Sequence, residues 1–230
     1  MNSDSFYVAT VRALAFPLRP AWLLLVILIP TINQSIAYVP VGTDYVGMLV
    51  VTLTGLYTLG VVQSIVIMTG RGVDLVLPNF TWRTAFGALL PTILGWLLVL
   101  AICLGPFVFA HHQTQLDARI QEFLLVLGVA YFPMSLLAFL QTNRLSLVSP
   151  ANVFASISRA PAAYAVTALL LLPHLYLAAG VDLNRHAAAA SGSVRFLLRL
   201  LLEMAALYFA LFWSRVLGLF YRCHRKQLRW

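Results

Sequence analysis

Residues 84–110 decide the fold class of this chain, because they read TAFGALLPTILGWLLVLAICLGPFVFA without a single charged side chain. A helix of that length rises roughly 40 Å at about 1.5 Å per residue, and the hydrocarbon core of a bilayer is about 30 Å thick. A run this long and this apolar indicates a transmembrane helix.

Similar runs recur along the whole chain. The 230 residues are 61% hydrophobic and 10% charged, with a mean hydropathy of +0.90, whereas soluble domains carry roughly 25% charged residues. We predict an all-α fold, a polytopic transmembrane bundle of six helices that forms a single domain over residues 1–230. The predicted spans are residues 21–38, 45–69, 84–110, 122–142, 161–181 and 193–220.

Two shorter segments have the pattern of amphipathic helices that lie in the membrane interface. At the N-terminus, residues 1–19 interleave apolar side chains with Arg12 and Arg19. In the second cytoplasmic loop, Ser149 suits an N-cap and Pro150 suits the first helical position. The face of this second helix that we expect to meet lipid carries Val153, Phe154 and Ile157.

The basic residues predict the orientation of the bundle. The net charge of +8 reflects membrane topology rather than nucleic-acid binding, because Lys and Arg accumulate in cytoplasmic loops. Eleven basic residues fall at the predicted inner ends, four fall at the outer ends, and we expect both termini to be cytoplasmic. The inner group is Arg12, Arg19, Arg71, Arg83, Arg144, Arg159, Arg215, Arg222, Arg225, Lys226 and Arg229. All basic residues but Lys226 are Arg, a composition typical of GC-rich bacteria, so we expect a bacterial inner membrane.

Four polar residues inside predicted spans form a candidate intramembrane site. Glu203 lies about ten residues into the sixth span, where an acid in hydrocarbon is costly enough to suggest a function. Arg199 lies one helical turn earlier and could simply neutralise it. Gln63 belongs to a small and polar stripe that suits either a pathway or close helix packing. His174 follows Pro173, and it suits a structural role, a ligand contact or proton transfer.

The basic tail is a candidate surface for anionic lipids or a partner protein. It combines four cations with a terminal Trp, and each cation near an anionic membrane surface contributes about 1 kcal/mol. The residues are Arg222, Arg225, Lys226, Arg229 and Trp230.

The predicted outer loops collect His and acidic residues without the fixed spacing of a metal site. We therefore predict solvated side chains and no metal there. A membrane enzyme acting on lipids would need these residues to converge. They are His111, His112, Asp117, Glu122, Asp182 and His186.

Short motifs in the second half resemble a group of uncharacterised bacterial multi-pass inner-membrane proteins of about six helices. The resemblance covers residues 55–230 and implies a helical membrane fold, with no established activity or site residues. Its motifs are Tyr131-Phe132-Pro133-Met134, Ser149-Pro150, Ile157-Ser158-Arg159-Ala160-Pro161 with Tyr164, Gly218, Tyr221-Arg222 and Leu228-Arg229-Trp230.

The function expected from these patterns is a non-catalytic subunit or scaffold of a larger membrane complex, with the bilayer and other membrane proteins as partners. The sequence contains no phosphate-binding loop, zinc-binding helix motif or nucleophile elbow, and it identifies no cofactor. The alternative is a transporter or channel for a small solute or lipid. It is motivated by prolines inside the spans, because broken helices often surround substrate sites. These prolines are Pro30, Pro91, Pro106, Pro133 and Pro173.

Overall fold

A computed structural model describes residues 3–37, 44–73, 82–112, 117–179, 192–228 and 230. All regular structure in these ranges is helical, in agreement with the predicted all-α class. The helices are α1 (Ser3–Ala13), α2 (Pro20–Ala37), α3 (Asp44–Arg71), α4 (Trp82–His112), α5 (Ala118–Thr142), α6 (Pro150–Arg159), α7 (Pro161–Leu169), α8 (Leu172–Ala179) and α9 (Gly192–Leu228).

Four of these helices are long and apolar enough to cross a membrane: α3, α4, α5 and α9. Two pairs of helices, each bent at a short break, pass the same test when the pair is counted as one span. Residues 5–36 bend by 59° between α1 and α2, and residues 150–177 bend by 106° between α6 and α7. The described part of the chain therefore has four to six candidate spans.

Helix α9 is the centre of the bundle, since it packs along α3 and also contacts α1, α2 and α8. A glycine makes the closest approach to α3 possible. A Cβ at Gly218 would lie 2.5 Å from the Thr69 Cβ and 2.8 Å from the Val66 carbonyl oxygen. Small residues let helix backbones approach closely in membrane bundles, so Gly218 sets the α3–α9 distance.

Both described ends of the chain lie at the same end of the bundle. Phe6 of α1 is fully buried, and its ring lies 6.1 Å from the Phe220 ring and 5.6 Å from the His224 ring of α9. The Tyr208 hydroxyl donates a hydrogen bond to the Leu14 carbonyl at 2.5 Å. We call this end, formed by α1, α6 and residues 211–230, the basic end.

Helix α6 and the C-terminal tail hold each other at the basic end. The Trp230 indole Nε1 donates to the Ser156 hydroxyl at 2.9 Å, and Arg159 donates to the Leu228 carbonyl at 2.7 Å. The Trp230 ring also stacks on Tyr221, with 5.9 Å between centroids. Part of the tail predicted to face lipid or a partner therefore packs against its own chain.

The two predicted amphipathic segments are helical, and both pack on the protein as well as exposing apolar side chains. In α6, Val153 is fully buried while Phe154 is 49% exposed. Ser156 is also buried, and its hydroxyl accepts the Trp230 hydrogen bond. Ser149 occupies the N-cap position without a side-chain cap.

The fifth predicted span differs from the structure. The sequence predicted one helix over residues 161–181, but α7 ends at Leu169 and α8 begins at Leu172. Pro173 lacks a backbone N–H and its ring would clash with the carbonyl four residues earlier. The backbone tightens instead, and the Leu171 N–H bonds to the Ala168 carbonyl at 3.1 Å.

The sixth predicted span is longer than expected. Helix α9 continues to Leu228, past the predicted end at Phe220. Its last turns are stabilised by contacts with α1 and α6, which a sequence pattern of scattered basic residues does not reveal.

Candidate functional site

A cavity of about 500 Å³ lies between α2, α3, α4, α5, α8 and α9. We call it the bundle cavity. Its wall is mainly apolar and includes Leu59, Val62, Phe132 and Trp213. Its volume is within the roughly 300–1,000 Å³ typical of small-molecule sites, which are mostly apolar with a few placed polar groups.

Backbone irregularities adjoin this cavity. Pro30, inside α2, lines it, and so does Leu171, in the break between α7 and α8. Interrupted helices are common around the substrate sites of transporters. Among the prolines noted in the sequence, Pro30 therefore lines the cavity, and Pro173 follows the helix break that adjoins it.

Glu203 lines the bundle cavity and is half-buried. Its carboxylate accepts a hydrogen bond from the Gln34 side-chain amide of α2, a residue far away in the sequence. Gln34 is buried, and its own carbonyl oxygen has no partner among the described residues. The acid is therefore oriented by α2, and the charge of Arg199, the partner suggested by the sequence, also favours its ionised form.

His174 lines the same cavity from α8. Its Nδ1 lies 3.0 Å from the Ala206 carbonyl oxygen of α9. A carbonyl oxygen can only accept, so this contact assigns the proton to Nδ1 and leaves Nε2 as an acceptor in the neutral ring. His174 thus makes the structural contact considered from the sequence through Nδ1. Its Nε2 is a hydrogen-bond acceptor in the neutral ring.

Trp96 contributes a hydrogen-bond donor that sequence reasoning missed. It lines the cavity from α4 and is 8% exposed, and its indole Nε1 is buried without a hydrogen-bond partner within the described ranges. A buried unpaired donor is costly, by about 1–3 kcal/mol. Trp213, on the facing wall, instead donates to the Thr167 carbonyl at 3.1 Å.

Asn33 also lines the cavity, one residue before Gln34. Its Oδ1 accepts a hydrogen bond from the Thr54 hydroxyl of α3 at 2.7 Å. Asn33 and Gln34 stand in the polar end of the first predicted span, and this cluster was the signal that could have identified them. Trp96 had no such signal, because an indole in an apolar helix looks like an ordinary core residue.

The four predicted polar residues separate into two groups. Glu203 and His174 share the bundle cavity. Gln63 does not line it, although its neighbour Val62 does, and its side-chain oxygen is buried without a partner among the described residues. Arg199 is half-exposed and lies outside the lining.

Among the described residues, the His and acidic side chains of the predicted outer loops form no metal-binding cluster. Among described residues, no group of three or more His, Cys, Asp or Glu side chains is close enough to hold a metal ion. His111 contacts Gln121 at 3.1 Å, and Asp117 caps α5 through the Arg119 N–H. Asp182 and His186 lie outside the described residues.

The tail cations predicted for lipid or partner docking are exposed where they are described. Arg222, Arg225 and Lys226 are exposed on the last turns of α9, Trp230 is half-buried, and Arg229 lies outside the described residues.

Comparison of the chain with protein-family models, with curated proteins and with solved structures gives no match.

Proposed function

We propose that this chain is a transporter or carrier of the inner membrane that binds a small amphipathic molecule in the bundle cavity. The observation that carries the proposal is the combination of a 500 Å³ apolar space with a carboxylate, a histidine and an indole donor that has no partner among the described residues.

The polar groups suggest the chemistry of the ligand. Glu203 offers a negative or accepting group, and Trp96 offers a donor that has no protein partner among the described residues. The remaining wall is apolar. We infer a molecule with an apolar body, a cationic or N–H-bearing group that satisfies the carboxylate, and an acceptor for the Trp96 N–H.

The proposed topology has six spans, one from each bent pair together with α3, α4, α5 and α9, and both termini in the cytoplasm. Its support is the shared end of the bundle at which α1 and the tail meet. That end carries Arg12, Arg19 and Arg215 as well as the tail cations, and cytoplasmic ends of membrane proteins are enriched in such residues.

The proposal is tested by entry of a hydrophobic cation into proteoliposomes. Ethidium is added outside vesicles that contain DNA, so that entry appears as a rise in fluorescence. We expect entry above protein-free vesicles for the natural chain, and about tenfold slower entry for Glu203→Gln, corresponding to about 1.4 kcal/mol.

Glu122→Gln is the matched control, since Glu122 is an exposed acid on α5. It should leave the rate unchanged. Equal entry rates for the natural chain and for protein-free vesicles would count against transport of this ligand class. Equal entry rates for Glu203→Gln and Glu122→Gln would mean that Glu203 does not contribute to ligand binding.

A second candidate function is a subunit of a membrane complex. It is favoured by small residues on open helix faces, since a Cβ at Gly60 or Gly105 would have no atom within 4 Å. Small residues on a lipid-facing surface suit close packing of a partner helix. Extraction in mild detergent should then yield a co-purifying membrane protein that Gly105→Leu releases. A lone chain under these conditions would exclude a stable complex.

A further inference from the structure

Three arginines converge on a second cavity, at the basic end and away from the bundle cavity. This groove of about 660 Å³ lies between α1, the turn after it, and α9. Arg12, Arg19 and Arg215 line it, and none of its described lining residues is acidic. We call it the arginine groove.

Two of the three guanidinium groups lie over the same aromatic ring. The Cζ of Arg19 lies 5.9 Å from the Phe16 ring centroid, and the Cζ of Arg215 lies 5.4 Å from it. Such cation–π contacts hold a guanidinium by one face and leave its edge for hydrogen bonds. Arg215 also donates to the Thr69 hydroxyl at 3.0 Å, which ties the groove to α3.

The depth of Arg215 distinguishes this groove from a general basic surface. Every residue from 211 to 220 is buried except Arg215, which is half-buried. Two exposed arginines, Arg12 and Arg19, line the same groove, so three cations at different depths are gathered in one place.

The surroundings of the groove are apolar. Val8 and Leu219 line it, and the adjoining surface of α1 exposes Val11 and Leu14 at 68% and 44%. A soluble anion would gain nothing from these side chains, whereas the acyl chains of a lipid would cover them.

We propose that the arginine groove binds a phosphate-bearing anion, and that this anion is the headgroup of an anionic phospholipid. Arginine forks match phosphate oxygens in paired hydrogen bonds. The bound lipid bridges α1, α3 and α9, with its phosphate between the arginines and its chains along α1. The site is independent of the ligand proposed for the bundle cavity.

The test measures lipid retained by the purified full-length chain. The protein is extracted in detergent, mixed with equal amounts of phosphatidylglycerol and phosphatidylcholine, and analysed by native mass spectrometry. The natural chain should retain phosphatidylglycerol selectively. The double variant Arg12→Gln/Arg19→Gln should retain at least about fivefold less, because both lost charges face the headgroup.

Arg225→Gln/Lys226→Gln is the matched control, since it removes the same charge from exposed positions of the same end. It should change retention by less than about twofold. Equal losses in the two double variants would overturn the site in favour of general electrostatic attraction, and no loss in either would overturn it outright.

A further variant separates binding from folding and from charge. Ala15 is exposed and lines the groove, so Ala15→Trp fills it without changing any cation. This variant should lose phosphatidylglycerol like the arginine variant. Normal retention by Ala15→Trp would contradict binding in the groove.

The source of the phosphate is distinguished with inorganic phosphate as a soluble probe. If inorganic phosphate at millimolar concentration raises the Tm of the lipid-free chain and displaces phosphatidylglycerol, the groove binds a free anion and the lipid assignment is overturned. We expect neither effect. Phosphatidylglycerol alone should raise the Tm of the natural chain and leave the Tm of Arg12→Gln/Arg19→Gln unchanged.

Discussion

At the basic end, Val216, Leu217 and Phe220 are completely buried, whereas at the bundle cavity Trp96 and Gln34, the partner of Glu203, each keep a buried polar atom without a partner among the described residues. One helix, α9, runs through both regions. In the first region these three side chains belong to the hydrophobic core and do not line the arginine groove, so they stabilise the fold, although the Thr10 hydroxyl of α1 also lacks a partner among the described residues. In the second, space and unpaired polar groups remain, which is the condition for binding something else.

The largest expected effect tests the packing of the basic end. Gly218→Ala adds a Cβ only 2.5 Å from the Thr69 Cβ, and we expect a loss of about 2 kcal/mol in the free energy of unfolding. Gly60→Ala is the control, because nothing lies within 4 Å of its Cβ. It should be neutral or slightly stabilising. Thermal unfolding in detergent measures both, and similar Tm values would contradict close α3–α9 packing.

Next in size is the effect of a buried hydroxyl that joins two helices. The Tyr164 hydroxyl of α7 donates to the Ala130 carbonyl of α5, and Tyr164→Phe removes this hydrogen bond between the helices. We expect a loss of about 1–2 kcal/mol. Tyr176→Phe, at a 66% exposed position, should change the Tm little. Equal Tm values for the two variants would mean that the Tyr164 hydrogen bond does not contribute to stability.

The sharpest test of the comparison between the two regions uses two tryptophans of the cavity wall. Trp213→Phe removes a hydrogen bond to the Thr167 carbonyl and should destabilise the chain by about 1 kcal/mol. Trp96→Phe removes a donor that has no partner among the described residues. It should lower the Tm of the ligand-free chain less than Trp213→Phe does, because both variants lose similar packing but only Trp213→Phe also loses a hydrogen bond.

The Trp96 result is read from the Tm of the ligand-free chain. A lower Tm for Trp96→Phe, similar to that of Trp213→Phe, would mean that the Trp96 indole has a structural contact. The bundle cavity would then lose one of the groups that support a ligand.

The smallest expected effect concerns docking of the tail. Ser156→Ala removes the acceptor of the Trp230 indole and should cost about 0.5 kcal/mol, seen as faster trypsin cleavage after Arg225 and Lys226. Ser158→Ala is the control, since Ser158 bonds only locally to the Ala155 carbonyl. Equal cleavage rates would indicate that the tail is held by other contacts.

The sequence predicted the fold class and four helices to within a few residues, because long apolar runs are a local property. It also identified Glu203, since an acid in such a run is conspicuous. It could not identify Gln34 as the partner of Glu203. That contact joins residues 169 positions apart, and no periodicity in one sequence reports which helices are neighbours.

Residues of the motifs that resemble a membrane-protein group illustrate the same limit. Tyr131 donates to the Val148 carbonyl, Tyr164 to the Ala130 carbonyl and Trp230 to Ser156. In the structure these aromatic residues join segments that are far apart in the sequence, which the motifs themselves do not show. Membership of that group stays a prediction.

By itself, the sequence determined that long helices must form, since a chain with so few polar side chains satisfies its backbone in lipid only through helical hydrogen bonds. Tertiary structure alone decided where α9 packs tightly and where it leaves a cavity. That division depends on the fit of individual side chains, such as Gly218 against Thr69, because packing forces act only over atomic contact distances.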